Sequence, residues 1–155
     1  MFKTIVWATD GSELADSALE FVRELALVDG SRIVAVHANE LMRGRSNSYP
    51  ALADEPELEE KIGTQVKELR DVGIDATYEI RGDHKSVATL IAEAAEHVDA
   101  DLIVVATHGS GGLKTALMGS VARALCHTAK TPVLVIPPVW KHEREAAKAE
   151  ELAAV

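Results

Sequence analysis

Two short stretches carry residues suited to holding a phosphorylated ligand. One is Asp10-Gly11-Ser12. The other runs Ala106-Thr107-His108-Gly109-Ser110-Gly111-Gly112 and leads on to Gly119-Ser120-Val121. Glycines let main-chain amides come close to a phosphate. A helix N-terminus adds free N–H groups and the positive end of its dipole. At such a terminus Gly119 would remove a side chain and Ser120 would supply a hydroxyl donor. No lysine is needed, so an acidic protein can use this chemistry. The same residues also read as a helix N-cap behind a flexible turn, and spacing alone leaves both readings open. The stretch is not a P-loop, because Lys114-Thr115 follows Leu113 rather than a glycine. Nor does Asp10-Gly11-Ser12 match the G-x-G-x-x-G dinucleotide fingerprint.

Other chemistry has less support. The six histidines include no i,i+4 pair, and Cys126 has no second cysteine, so no dedicated metal site is expected. Any metal would be Mg²⁺ carried on nucleotide phosphates. His108 reads either as a base or phosphate contact, or as a loop residue bonded to backbone. A triad of Asp10, His108 and Ser120 lacks the G-x-S-x-G elbow. Cys126 reads as a small buried apolar residue. Met42, Arg43 and Arg45 either cover a bound ligand or are solvated.

These residues need elements to position them. Residues 2–9, 31–38, 101–106 and 132–137 are short, β-branched and apolar, and read as buried strands. Residues 75–81 alternate, as in a strand nearer an edge. Leu14, Ala15, Ala18, Leu19, Val22, Leu25 and Ala26 recur at three and four, which predicts a helix capped by Ser12 and stopped at Gly30. Leu58, Ile62, Val66 and Leu69 predict a second helix from near Pro56 to Gly73. Residues 85–98 and 119–129 are helical, and Gly82-Asp83-His84 reads as a turn. Residues 39–56 have no clean period and read as a long connection, either a surface insertion or a lid. The tail from Lys141 has high helix propensity but almost no large apolar residue, so 139–155 is expected to be a polar helix or disordered.

Strands alternating with helices predict an α/β fold, a parallel sheet covered on both faces, in one domain over residues 1–138. Ligands of such sheets bind outside the carboxyl ends of strands, where the winding reverses. If the first and fourth strands meet there, Asp10 and the glycine-rich stretch share one crevice. The 155 residues are 47% apolar, enough for a real core, and the net charge of −9 argues against wrapping a nucleic-acid backbone. No apolar run reaches a membrane span. The N-terminus lacks a secretory signal, so a cytoplasmic setting is expected.

TIVWATDGSELADSALEFVRELA near the start and ADLIVVATHGSGGLKTALMGSVARALCHTAKTPVLVIPP near the end resemble the universal stress protein family. The resemblance covers residues 2–138 and implies an open five-stranded sheet of order 3-2-1-4-5, of the adenine-nucleotide alpha-hydrolase-like type. The family's ATP-binding members carry G-x2-G-x9-G-[ST]; Gly109, Gly119 and Ser120 match, while Ala106 replaces the first glycine. The resemblance implies ATP as the ligand. Asp10, with Thr9 and Gly11 beside it, would meet the ribose or adenine side. The backbone of Ala38 would pair with the adenine edge, and Ala106 would lie near the ribose. Gly109, Gly119, Ser120 and Val121 would hold the phosphates. It further implies a homodimer through strand 5 and a nucleotide-dependent sensor or regulator. The alternatives are a member that binds no nucleotide and acts through protein contacts, a cyclic-AMP-binding member, and a slow ATP hydrolase.

Overall fold

A computed structural model describes residues 1–41, 55–107, 118–137 and 149–154. Strands and helices alternate along them: β1 (Thr4–Ala8), α1 (Glu13–Asp29), β2 (Arg32–Glu40), α2 (Glu55–Asp71), β3 (Ala76–Asp83), α3 (Val87–His97), β4 (Leu102–Ala106), α4 (Ser120–Thr128) and β5 (Val133–Ile136). The five strands form one parallel sheet of order β3-β2-β1-β4-β5. Residues 149–153 form a further helical turn. No described helix is long and apolar enough to cross a membrane.

Strand periodicity divides the core into two layers. Ile5, Trp7, Ile33, Ala35, Leu102, Val104 and Ala106 face α1 and α2, where they meet Ala18, Val22, Ile62 and Val66. Val6, Ala8, Val34, Val36, Ile103 and Val105 face α3 and α4, where they meet Leu90, Ile91, Ala94, Ala122 and Leu125. Burial on both faces is why these strands read as nearly unbroken apolar runs. Trp7 is fully buried, and its indole N–H donates to Ala15 O at 3.1 Å, which ties β1 to the first turn of α1.

Helix ends follow local chemistry. Ser12 caps α1 through its hydroxyl, which accepts from Ala15 N–H at 3.3 Å, and Gly30 closes it in the left-handed region at φ 70°. Ser86 caps α3 in the same way, accepting from Thr89 N–H. Pro56 occupies the first turn of α2, where a missing N–H costs no helical bond.

Three expectations need correction. Gly82 and Asp83 are not in a turn: they extend β3, because β2 runs on to Glu40 and offers Asn39 and Glu40 as partners. The ladder then closes with Leu41 N–H on Asp83 O at 2.8 Å. β2 itself therefore ends two residues beyond Ala38. Cys126 is exposed rather than buried. The inward face of α4 is set by Ala122 and Leu125, and the next residue is rotated about 100° away from that stripe.

Candidate functional site

β1 and β4 are adjacent, with Trp7 opposite Val104. The chain winds outward from this pair in both directions, so the reversal lies between them. Continuing the register puts Thr9 level with Ala106. The turn after β1 and the exit of β4 therefore leave the sheet side by side. The chain returns to the same place at Gly119, whose N–H donates to Thr107 O at 2.5 Å. α4 starts there, and its first intrahelical bond is Arg123 N–H to Gly119 O at 3.0 Å. The amides of Ser120, Val121 and Ala122 precede that bond, as the first amides of a helix do.

The β1–α1 turn is held from within. Thr9 is buried, and its hydroxyl accepts from Gly11 N–H at 3.1 Å. Asp10 Oδ1 accepts from Ser12 N–H at 3.0 Å, an Asx turn leading into the capped helix. Gly11 has φ 77°, a conformation that favours glycine. Gly119, by contrast, has φ −64° and ψ 160°, which any residue adopts, so its backbone does not demand glycine.

The structure places Thr9, Asp10, Gly11, Ala106, Gly119, Ser120 and Val121 at the adjoining ends of β1 and β4. Ala38 lies at the same end of the sheet on the other flank of β1. The Ala106 methyl is buried in the layer beneath α1, with Trp7 and Val104. His108 and Gly109 lie outside the described residues, as do Met42, Arg43 and Arg45.

Four neighbours of the site carried no functional signal in the sequence reading. Lys61 Nζ donates to Gly11 O at 2.6 Å and to Asp16 Oδ2 at 2.7 Å, and Gln65 Nε2 donates to Asp16 Oδ1 at 2.8 Å. Leu58 packs where a Gly11 side chain would project. His37, buried, places Nδ1 2.9 Å from Thr9 O. The available signals were the i,i+4 pair Lys61 and Gln65, and a lone polar side chain inside the apolar run of β2.

A phosphorylated ligand suits these groups on one structural ground. Thr107 Oγ1, at the exit of β4, is buried and has no hydrogen-bond partner among the described residues. Polar atoms in that state are uncommon and cost free energy until something bonds them. Beside it are the first amides of α4, directed as anion-binding amides are.

The universal stress protein family model matches residues 1–137. A universal stress protein of Thermus aquaticus is 32% identical over 139 residues, covering 88% of this chain and 99% of that one. The solved structure of the protein MJ0577 superposes with a TM-score of 0.73 at 25% identity, covering 88% of this chain and 96% of the other. The universal stress protein of Archaeoglobus fulgidus, solved in complex with dAMP, gives 0.65 at 26% identity, covering 88% and 98%. With this sheet order and a family match over nearly nine-tenths of its length, the chain belongs to the universal stress protein family.

Proposed function

We propose that this protein binds ATP in the crevice between the ends of β1 and β4 and acts as a nucleotide-dependent regulator. The observation that carries the reading is the return of the chain to Thr107 O at Gly119, which sets the first amides of α4 beside the Asp10 turn. Anions favour that end of a helix. The dAMP complex of the Archaeoglobus fulgidus relative supports adenine as the base. Asp10 and the Ala38 backbone serve the nucleoside, while Gly119, Ser120 and Val121, with His108 and Gly109, serve the phosphates and any Mg²⁺ they carry.

Phosphoryl transfer also needs a placed water, a base and charge neutralisation in the transition state. The residues assigned here are suited to binding, so turnover is expected to be far below an ordinary enzyme's roughly 10 per second.

Isothermal titration with ATP, ADP, AMP and cyclic AMP tests the reading. ATP should bind, and Gly119→Leu should abolish binding while the fold survives, since position 119 has an ordinary backbone conformation. No adenine-nucleotide affinity at millimolar ligand would overturn it and favour a family member acting through protein contacts. Preference for cyclic AMP over ATP would reassign the ligand.

A further inference from the structure

The β1–β2 ladder ends in an unusual way. Arg32 N–H donates to Lys3 O at 2.8 Å, and Ile33 N–H donates to Asp75 O at 2.8 Å. Successive strand residues present their main chain alternately to the two neighbouring strands. Even-numbered residues of β2 therefore face β1, and odd-numbered ones face β3. The last rung is Thr9 N–H to Val36 O at 3.0 Å. By the same offset as Arg32 to Lys3, the next rung would join Ala38 N–H to Thr9 O. That rung is absent from the main-chain bonds of the described residues, and His37 Nδ1 lies 2.9 Å from the Thr9 carbonyl oxygen. A carbonyl oxygen only accepts, so Nδ1 carries the proton.

His37 has the parity of Ile33 and Ala35, so its ring lies on the face that carries α1 and α2. It is 6% exposed, and Thr9 is 6% exposed. This side chain caps the end of β1 at the point where the chain turns aside into Asp10 and Gly11. β2 meanwhile continues alongside β3 as far as Glu40. The Ala38 N–H and C=O are thus directed at the space that β1 has left. An adjacent donor and acceptor on an extended strand matches the edge of adenine, which offers a ring-nitrogen acceptor beside an amino donor. Guanine reverses that order.

We propose that His37 is the positioning residue of an adenine seat: by bonding Thr9 O it keeps the β1–β2 ladder from closing over Ala38. The role rests on the nucleotide reading above and deepens it. His37 does not touch the ligand; it acts through Thr9 and Ala38.

The test combines amide hydrogen exchange with nucleotide titration of the full chain. His37→Leu removes the donor. His37→Asn keeps an N–H near the place of Nδ1. In the wild type, the Ala38 amide should exchange faster than that of Val36, and ATP should bind in preference to GTP. In His37→Leu, the Ala38 amide should slow as the rung forms. ATP affinity should then fall on the order of tenfold, the worth of one hydrogen bond, and the ATP-over-GTP preference should shrink. His37→Asn should retain both properties. If His37→Leu fails to fold, His37→Gln, whose amide matches Nε2 rather than Nδ1, takes its place. Wild-type binding of ATP with no change in His37→Leu overturns the seat alone. No adenine-nucleotide binding by the wild type overturns the nucleotide reading and the seat with it. An Ala38 amide equally slow in all variants overturns the ladder argument.

Discussion

Lys61 Nζ lies 2.6 Å from the Gly11 carbonyl oxygen and 2.7 Å from Asp16 Oδ2. A single ammonium on α2 thus holds both the turn after β1 and the first turn of α1. The side chains of Lys61 and Asp16 are 40% and 32% exposed, so screening limits the pair to roughly 0–1 kcal/mol. Lys61→Met should therefore lower the urea midpoint only slightly. It should speed amide exchange at Ser12 more than at buried β1 residues. A double-mutant cycle with Asp16→Asn should show coupling; strict additivity would mean that the pair does not act as a brace.

Gly11→Ala should be more damaging. The residue sits at φ 77°, where a side chain costs roughly 1–2 kcal/mol. A Cβ there would also collide with Leu58 Cδ1. Leu58 is flexible and can move, so Leu58→Ala in the Gly11→Ala background should relieve the collision but not the backbone cost. Urea unfolding of the two single variants and the double variant separates these contributions. Full rescue by Leu58→Ala would contradict the backbone argument.

Asp101 gives the acid limb of stability a defined origin. Its carboxylate accepts from Thr4 N–H at 2.9 Å and Lys3 N–H at 2.8 Å, anchoring the start of β1, and these bonds hold its pKa below the usual carboxylate value. A lowered folded pKa means stability that is complete above the unfolded value of about 3.9 and is lost as pH falls through the folded one. Asp29 behaves alike through Phe2 N–H and the N-terminus. Asp101→Asn should flatten the loss of stability below about pH 4, followed as urea midpoints across a pH series. An unchanged slope would remove Asp101 from the account.

Among the described residues β5 is an edge strand, and its outer side should join two copies in a homodimer. Ile103 N–H donates to Pro132 O and Thr107 N–H to Ile136 O, both at 2.9 Å. Even-numbered residues of β5 therefore face β4, while Val133 and Val135 direct their main chain to the open edge. Antiparallel pairing about a two-fold axis would satisfy both edges at once. Val135→Pro should remove an outward N–H and spare the β4 ladder, giving a folded monomer. Light scattering should find twice the chain mass for the wild type. A wild type that stays monomeric at tens of micromolar would defeat the proposal.

Ala106→Gly separates core packing from ligand crowding. The methyl is 8% exposed in the layer under α1, so its loss should cost about 1–2 kcal/mol of stability through lost burial and added backbone freedom. Nucleotide affinity should be unchanged. A roughly tenfold gain in affinity would instead mean that the methyl presses on the ribose, the order of effect one methylene has in a shaped pocket.

Much of this fold was legible because both faces of the sheet are buried. Runs such as Thr4–Ala8 and Leu102–Ala106 announced strands, while Ser12 and Gly30 marked the ends of α1. The sheet order came from the family resemblance rather than from periodicity, and the observed order agrees. What stayed hidden depends on distant partners. Gly82 and Asp83 look like turn residues until β2 supplies a ladder. His37 and Thr9 are 28 residues apart, and Lys61 and Gly11 are 50 apart. No local pattern encodes such meetings. Cys126 misled because its residue type favours burial, whereas helix phase decided its side.

β1 sits at the centre of the sheet, and one of its two edges is completed only by Leu102, Ile103 and Val104. A ribosome releases the chain from the N-terminus, so Ile5, Val6 and Trp7 emerge long before that edge can be covered. β2 and β3 can join on the other side in the meantime. The nascent chain then exposes an apolar strand with unpaired main-chain groups, the kind of edge that recruits other strands. The geometry that places the Asp10 turn at the reversal point thus also leaves one edge of β1 to be covered late in synthesis.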